Sequence, residues 1–251
     1  MPHLTFDQWS LAILCAVFIG LSKGGFGGIG MLAILMMTHV FPPRESTGAI
    51  LPMLIMGDIF AVVLYRQHAN GRLVLRLMPP AVAGIICGWL LIPHIPAASF
   101  GAYLGWLTVA LIVLVIIQKV WPKVISLAAE RPQIAWPLGW LAGITTMIGN
   151  AAGPVMTSYL LACRLPKMQF VGTAAWFFFA VNVIKVPFSM SLGLINLPSF
   201  SLNLCLFPAV VLGFFMGRWL LGKFNQAAFD WSMIVLSLLG ALRLIIASLA
   251  H

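Results

Sequence analysis

Four ionisable side chains fall inside stretches otherwise apolar enough to lie in a membrane: Lys23, Asp58, Lys185 and Arg243. Charged groups at that depth are costly and by default mark function. Three cations against one carboxylate leave the interior net positive, so the ligand they suit is a small anion. Asp58 is the one acid at depth. It is the candidate to carry coupling to an ion gradient, or to hold Lys23 or Lys185 in place. Lys185 lies one helical turn beyond Asn182, on the same face. Arg243 sits nearer the end of its span, where it can snorkel to the interface.

Two polar, glycine-rich stretches surround these charges. Residues 143–159 read GITTMIGNAAGPVMTSY, and residues 20–32 read GLSKGGFGGIGML. Lipid rejects the hydroxyls and amide of Thr145, Thr146, Asn150, Thr157 and Ser158, while the glycines and Pro154 loosen or break a helix. Irregular backbone at membrane depth is tolerated only inside protein or against a water-filled cavity, which in transporters is where substrate binds. A half-helix starting after each break aims free N–H groups and a positive dipole end inward. Pro154 suits the first helical position, and the glycines leave backbone N–H groups open to an anion. The candidate substrate contacts are therefore Lys23, Gly24, Gly25 and Gly27 from one stretch, Thr145, Thr146, Asn150 and Gly153 from the other, and Asn182 and Lys185. The same residues also have plainer readings. Lys23–Asp58 can be a pair that only fixes the fold, and Asn150 and Asn182 can simply bridge helices. Phe177, Phe178 and Phe179 suit packing or lipid better than a substrate gate.

The two stretches are equivalent parts of a repeat. Sliding the chain by 123 positions places Gly20 on Gly143, Ser22 on Thr145, Lys23 on Thr146 and Gly30 on Gly153. After a one-residue slip Gly48 meets Gly172 and Asp58 meets Asn182, and later Gly84 and Gly88 meet Gly213 and Gly217. The expected fold is an all-α integral membrane protein of two inverted repeats, each a broken, re-entrant helical hairpin plus three transmembrane helices. Repeat 1 is residues 1–125, with a hairpin at 8–40 and spans at 48–65, 77–93 and 100–118. Repeat 2 is residues 126–251, with a hairpin at 137–163 and spans at 170–190, 202–221 and 229–249.

Composition agrees. Hydrophobic residues make up 62% and charged residues 8%, against roughly 25% charged in a soluble domain. The basic residues select the topology. If each broken stretch crosses fully, six of eleven flanking Lys and Arg fall on one side and five on the other; if each is re-entrant, ten share one side and only Arg44 is opposite. The positive-inside rule favours the re-entrant arrangement, with the basic side cytoplasmic and both termini outside. The two hairpins then enter from opposite faces and meet near the midplane. Small residues four apart, Gly84/Gly88 and Gly213/Gly217, suit close helix packing in lipid.

Other classes find no support. The net charge of +9 is scattered over short loops, which suits lipid headgroups rather than nucleic acid. Cys15, Cys87, Cys163 and Cys205 form no C-x-x-C pair and read as small buried hydrophobes. No metalloprotease, serine-hydrolase or Walker motif is present, so no enzyme activity, cofactor or metal is expected. The N-terminus has no signal-peptide pattern.

The chain resembles the sulfite exporter TauE/SafE family of membrane permeases. The resemblance rests on GLSKGGFGG in the first copy, on TMIGNAAGPVMT, LPKMQFVGTAAWFFF and VNVIKVPF in the second, and covers nearly the whole chain. It implies a secondary transporter for a small organosulfur anion such as sulfite or a sulfonate, coupled to a proton or cation gradient, in a bacterial inner membrane. A small carboxylate is the alternative substrate, and an anion channel or non-transporting scaffold the alternative function. The partners expected are the anion, the coupling ion and the lipid bilayer, and a homodimer is compatible with the sequence.

Overall fold

The computed structural model describes residues 4–25, 30–96, 99, 100 and 132–223, with isolated positions 103, 106, 110, 113 and 235. Among these residues every regular element is helical, and five helices are long and apolar enough to cross a membrane. The spans expected at 100–118 and 229–249, with Arg243, lie largely outside the described residues, as does Gly27.

The first broken stretch forms α1 (Phe6–Gly24) and α2 (Gly30–Met37). A capping box starts α1: Thr5 Oγ1 accepts from Gln8 N and Gln8 Oε1 accepts from Thr5 N at 3.0 Å. Gly25 ends it at φ 142°, a conformation that a Cβ disfavours. The chain then doubles back. Gly30 faces Ser22, and Cys15 Sγ donates to Ala33 O at 3.2 Å, so α2 runs antiparallel along α1. Next come α3 (Pro43–Ala49), α4 (Leu51–Tyr65) and α5 (Gly71–Leu91). The second broken stretch forms α6 (Pro132–Gly149) and α7 (Ala152–Ala162), followed by α8 (Lys167–Ser191) and α9 (Leu197–Lys223). Three spans, α5, α8 and α9, start three to six residues before their expected bounds, because basic or polar residues such as Arg72, Arg76 and Lys167 occupy opening turns that an apolar window trims.

The helices fall into two sets of opposite direction. Gly20 and Gly24 pack on Gly213 and Gly217, so α1 and α9 run parallel. Tyr65 donates to Gly24 O at 3.0 Å and Phe60 packs on Phe207 and Phe214, so α4 runs with them. In the other set Gly139 and Gly143 pack on Pro80, Ala81 and Gly84, so α5 and α6 run parallel. Asn70 N donates to Thr173 Oγ1 at 2.9 Å and Trp89 Nε1 donates to Ser191 Oγ at 2.9 Å, so α8 runs with those two. Between the sets α4 and α8 are antiparallel: Gly48 meets Leu194, Asp58 meets Asn182 and Gly172 meets Tyr65 and Ala69. A helix at these glycine crossings cannot carry a side chain, because a Cβ would strike the partner's backbone.

These directions gather Arg66, Arg72, Arg76, Arg164, Lys167, Arg218 and Lys223 toward one end of the bundle and leave Arg44 at the other. The hairpin arms, however, are not equal halves. α1 has 19 residues and α6 has 18, each roughly 28 Å at 1.5 Å per residue; only α2, with 8, and α7, with 11, are half-length. Gly24 packs level with Gly217, near the end of α9, and Met147 lies level with Gly88, near the end of α5. The C-terminal ends of α1 and α6 therefore lie toward opposite ends of the bundle, while Gly25, Asn150 and Gly153, beside the two breaks, line one cavity. The break falls where the glycine or Asn150 permits a positive φ, not halfway along the apolar run.

Two outcomes follow from this packing. In a cysteine-free background, Asn70→Cys and Leu165→Cys label from the same membrane face and Glu45→Cys from the other; labelling of 70 and 165 from opposite faces would contradict the hairpin arrangement. Gly143→Leu destabilises the detergent-solubilised protein by about 1–3 kcal/mol or more through overpacking. Gly222→Leu, where a Cβ meets nothing, leaves thermal unfolding near wild type.

Candidate functional site

Polar side chains converge where α4 and α8 cross. Lys23 Nζ, at the end of α1, lies 2.6 Å from Asp58 Oδ1. Asn182 Nδ2 donates to Asp58 Oδ2 at 2.7 Å. Asp58 is 0% exposed, and among the described residues its carboxylate directly meets this ammonium group and one amide. The ring of Phe178 lies 4.7 Å from Lys23 Nζ and covers another side of the ammonium group.

One turn along α8, Lys185 is 2% exposed. Its Nζ donates to Asn150 Oδ1 at 2.5 Å and to Thr146 Oγ1 at 3.2 Å. Both acceptors are neutral, and among the described residues no carboxylate lies within ion-pair distance of Lys185. Asn150 Nδ2 donates to Thr47 O at 2.8 Å, so the amide straps the second hairpin both to α8 and to α3. Asn150 itself adopts φ 53° and closes α6, returning its N–H to Thr146 O at 3.0 Å, with Ala151 N reaching Thr145 O at 3.1 Å. Ala151 then offers α7 no side-chain cap, which leaves the first-turn N–H groups of that helix to other partners.

A cavity of about 80 Å³ opens between the two hairpins. Of the residues singled out in the sequence, Lys23, Gly25, Asp58, Thr146, Asn150, Gly153 and Asn182 line it. Three expected contacts do not. Gly24 packs on α9. Thr145 is buried and donates to Ala142 O at 3.1 Å within its own helix, one position out of phase with the cavity face. Lys185 stands behind Asn150 and Thr146 instead of on the wall. Pro154 is the third residue of α7, not the first, although the first turn still needs no N–H from it.

Other wall residues escaped the sequence reading. Ser22 and Thr157 were visible as hydroxyls in apolar runs. Phe178 had been assigned to packing or lipid, yet it faces the cavity and Lys23; an aromatic in a membrane helix gives no sequence signal of which side it faces. Phe177 does pack in the core. Of the cysteines only Cys15 is buried, while Cys205 is exposed on α9. Among the described residues no group of His, Cys, Asp and Glu could hold a metal ion.

A family model described as Sulfite exporter TauE/SafE matches residues 12–244. Searches of curated proteins and of solved structures each found no match.

The ion pair carries a stability prediction. Lys23→Met leaves a buried carboxylate unpaired and costs about 3–5 kcal/mol. Lys23→Met combined with Asp58→Asn removes both charges and recovers most of that loss. Thermal unfolding of the two variants in detergent checks this; equal destabilisation by the single and double variants would mean that the pair is not what holds the crossing.

Proposed function

The chain belongs to the sulfite exporter TauE/SafE family, which makes it a multi-pass membrane protein and a membrane transporter for sulfur anions, and from that premise we propose a secondary transporter that binds its anion in the cavity between the hairpins. The observation that carries this reading is the cavity wall itself. Lys23, Thr146, Asn150 and Asn182 present charge, hydroxyl and amide groups to an enclosed space within the apolar bundle. Each neutral donor to an anion contributes about 0.5–1.5 kcal/mol, and a charged one about 1.5–3 kcal/mol. Gly25 and Gly153 allow close approach of backbone.

The proposed architecture is the inverted repeat, 1–125 and 126–251, with two re-entrant hairpins. It is supported by the antiparallel return of α2 along α1 and by reciprocal contacts: Gly20 on Gly213 mirrors Gly143 on Gly84, and Gly48 on Leu194 mirrors Gly172 on Ala69. Alternating access then requires the two parallel sets to rock across the α4–α8 crossing. Asp58 lies at that crossing and faces the cavity, which suits it to couple anion movement to a proton or cation.

Uptake into proteoliposomes, with sulfite, sulfonates, thiosulfate and short carboxylates compared, tests the reading. Wild type accumulates one or more of the sulfur anions against a gradient, and an uncoupler or cation ionophore collapses the accumulation. Flux that only dissipates a gradient would make the protein a channel. Asp58→Asn, if it reaches the membrane at wild-type level, abolishes accumulation; undiminished accumulation by that variant would remove Asp58 from coupling.

A further inference from the structure

The two lysines near the cavity are in different electrostatic positions. Lys23 faces the cavity, but its charge is matched by Asp58 at 2.6 Å. Lys185 is off the wall, close enough to interact with the charges of both Lys23 and Asp58, yet its own direct partners are neutral oxygens. Burying an ammonium group without a matching anion is costly, so Lys185 depends on the two neutral oxygens to which it donates.

The route from the Lys185 amine to the cavity runs through one hydroxyl. Thr146 Oγ1 accepts from Lys185 Nζ at 3.2 Å. A hydroxyl that accepts in this way keeps its own proton to donate, and that proton has no acceptor among the described residues. Thr146 is 3% exposed and lines the cavity. The neighbouring Asn150 is less available, because its carbonyl oxygen is taken by Lys185 and its amide donates to Thr47 O. Chains of hydrogen bonds polarise one another in a low-dielectric interior.

We propose that Thr146 is the hydroxyl that seats the anion and that Lys185 is a positioning residue acting through it, polarising the Thr146 O–H toward the cavity. Lys23, by contrast, is already engaged by Asp58 at 2.6 Å. The chemistry selected is a compact oxyanion able to accept a short, polarised O–H donor. This rests on the anion-transport reading above.

The test measures binding of sulfite and of methanesulfonate to purified protein by titration calorimetry, beside uptake into proteoliposomes. Thr146→Val, which keeps shape and loses the hydroxyl, weakens binding about tenfold, and Thr146→Ser restores it. Lys185→Gln weakens binding tenfold or more. Adding Thr146→Val to Lys185→Gln produces little further loss, because both act on one donor. Additive losses, or Thr146→Val binding as wild type does, would overturn the proposal. A merely structural role for Thr146 predicts lowered thermal stability without anion and equal behaviour of the Ser and Val variants. If wild-type protein takes up and binds neither anion, the transport reading itself fails; if it does both while the variants bind normally, only this inference fails.

Discussion

A charge buried among apolar helices must be matched, and here the match is made across elements that are distant in sequence. Lys23 belongs to the first hairpin, Asp58 to α4 and Asn182 to α8. Coulomb attraction is strong at this separation in a medium of low dielectric, but so is the cost of removing both charges from water. The pair is therefore held only while three helices stay in register. The glycine contacts, the break after Gly24 and the antiparallel crossing of α4 and α8 all serve to bring those three groups within hydrogen-bonding distance.

The glycines explain how an apolar bundle acquires that register. Apolar side chains gain little from each other in lipid, whose tails are as apolar as leucine, so association relies on close contact and hydrogen bonds. Each hairpin's long arm is packed on the last described span of the opposite half: α1 on α9 and α6 on α5. Because the partners are exchanged, each half packs its hairpin on a helix of the other. The same exchange carries the ends of α1 and α6 toward opposite ends of the bundle, with the cavity between the two helix pairs.

Under the proposed repeat, corresponding positions differ where polar groups gather: they hold Lys23 and Thr146, Asp58 and Asn182, and Ala61 and Lys185. One half pairs its cation with its own acid. The other places its cation on neutral oxygens of its own hairpin. A symmetric pair of acids or of lysines at the crossing would repel. Replacement of one carboxylate by an amide turns that meeting point into a hydrogen bond of 2.7 Å. The backbone can thus remain near-symmetric while the electrostatics do not.

Much of this was legible before any coordinates. Composition excludes a soluble domain, and the glycine and hydroxyl runs mark where regular helix must stop. The proposed repeat sets Asp58 against Asn182, and the basic flanks favour the proposed hairpin arrangement. These features are local or periodic, so they survive in the linear order of residues. What the tertiary structure decided is partnership and facing. Periodicity places Asn182 and Lys185 on one face, but only packing sends Asn182 to Asp58 and Lys185 to Thr146 and Asn150. Adjacent threonines look equivalent in sequence; a helical step of 100° buries Thr145 against its own backbone and turns Thr146 to the cavity. Phe178 could not be assigned to the cavity from its type, since lipid and protein interior are equally apolar. The point of return is likewise set in three dimensions: an apolar run reveals its total length, whereas the break along it falls where Gly25 and Asn150 adopt a positive φ.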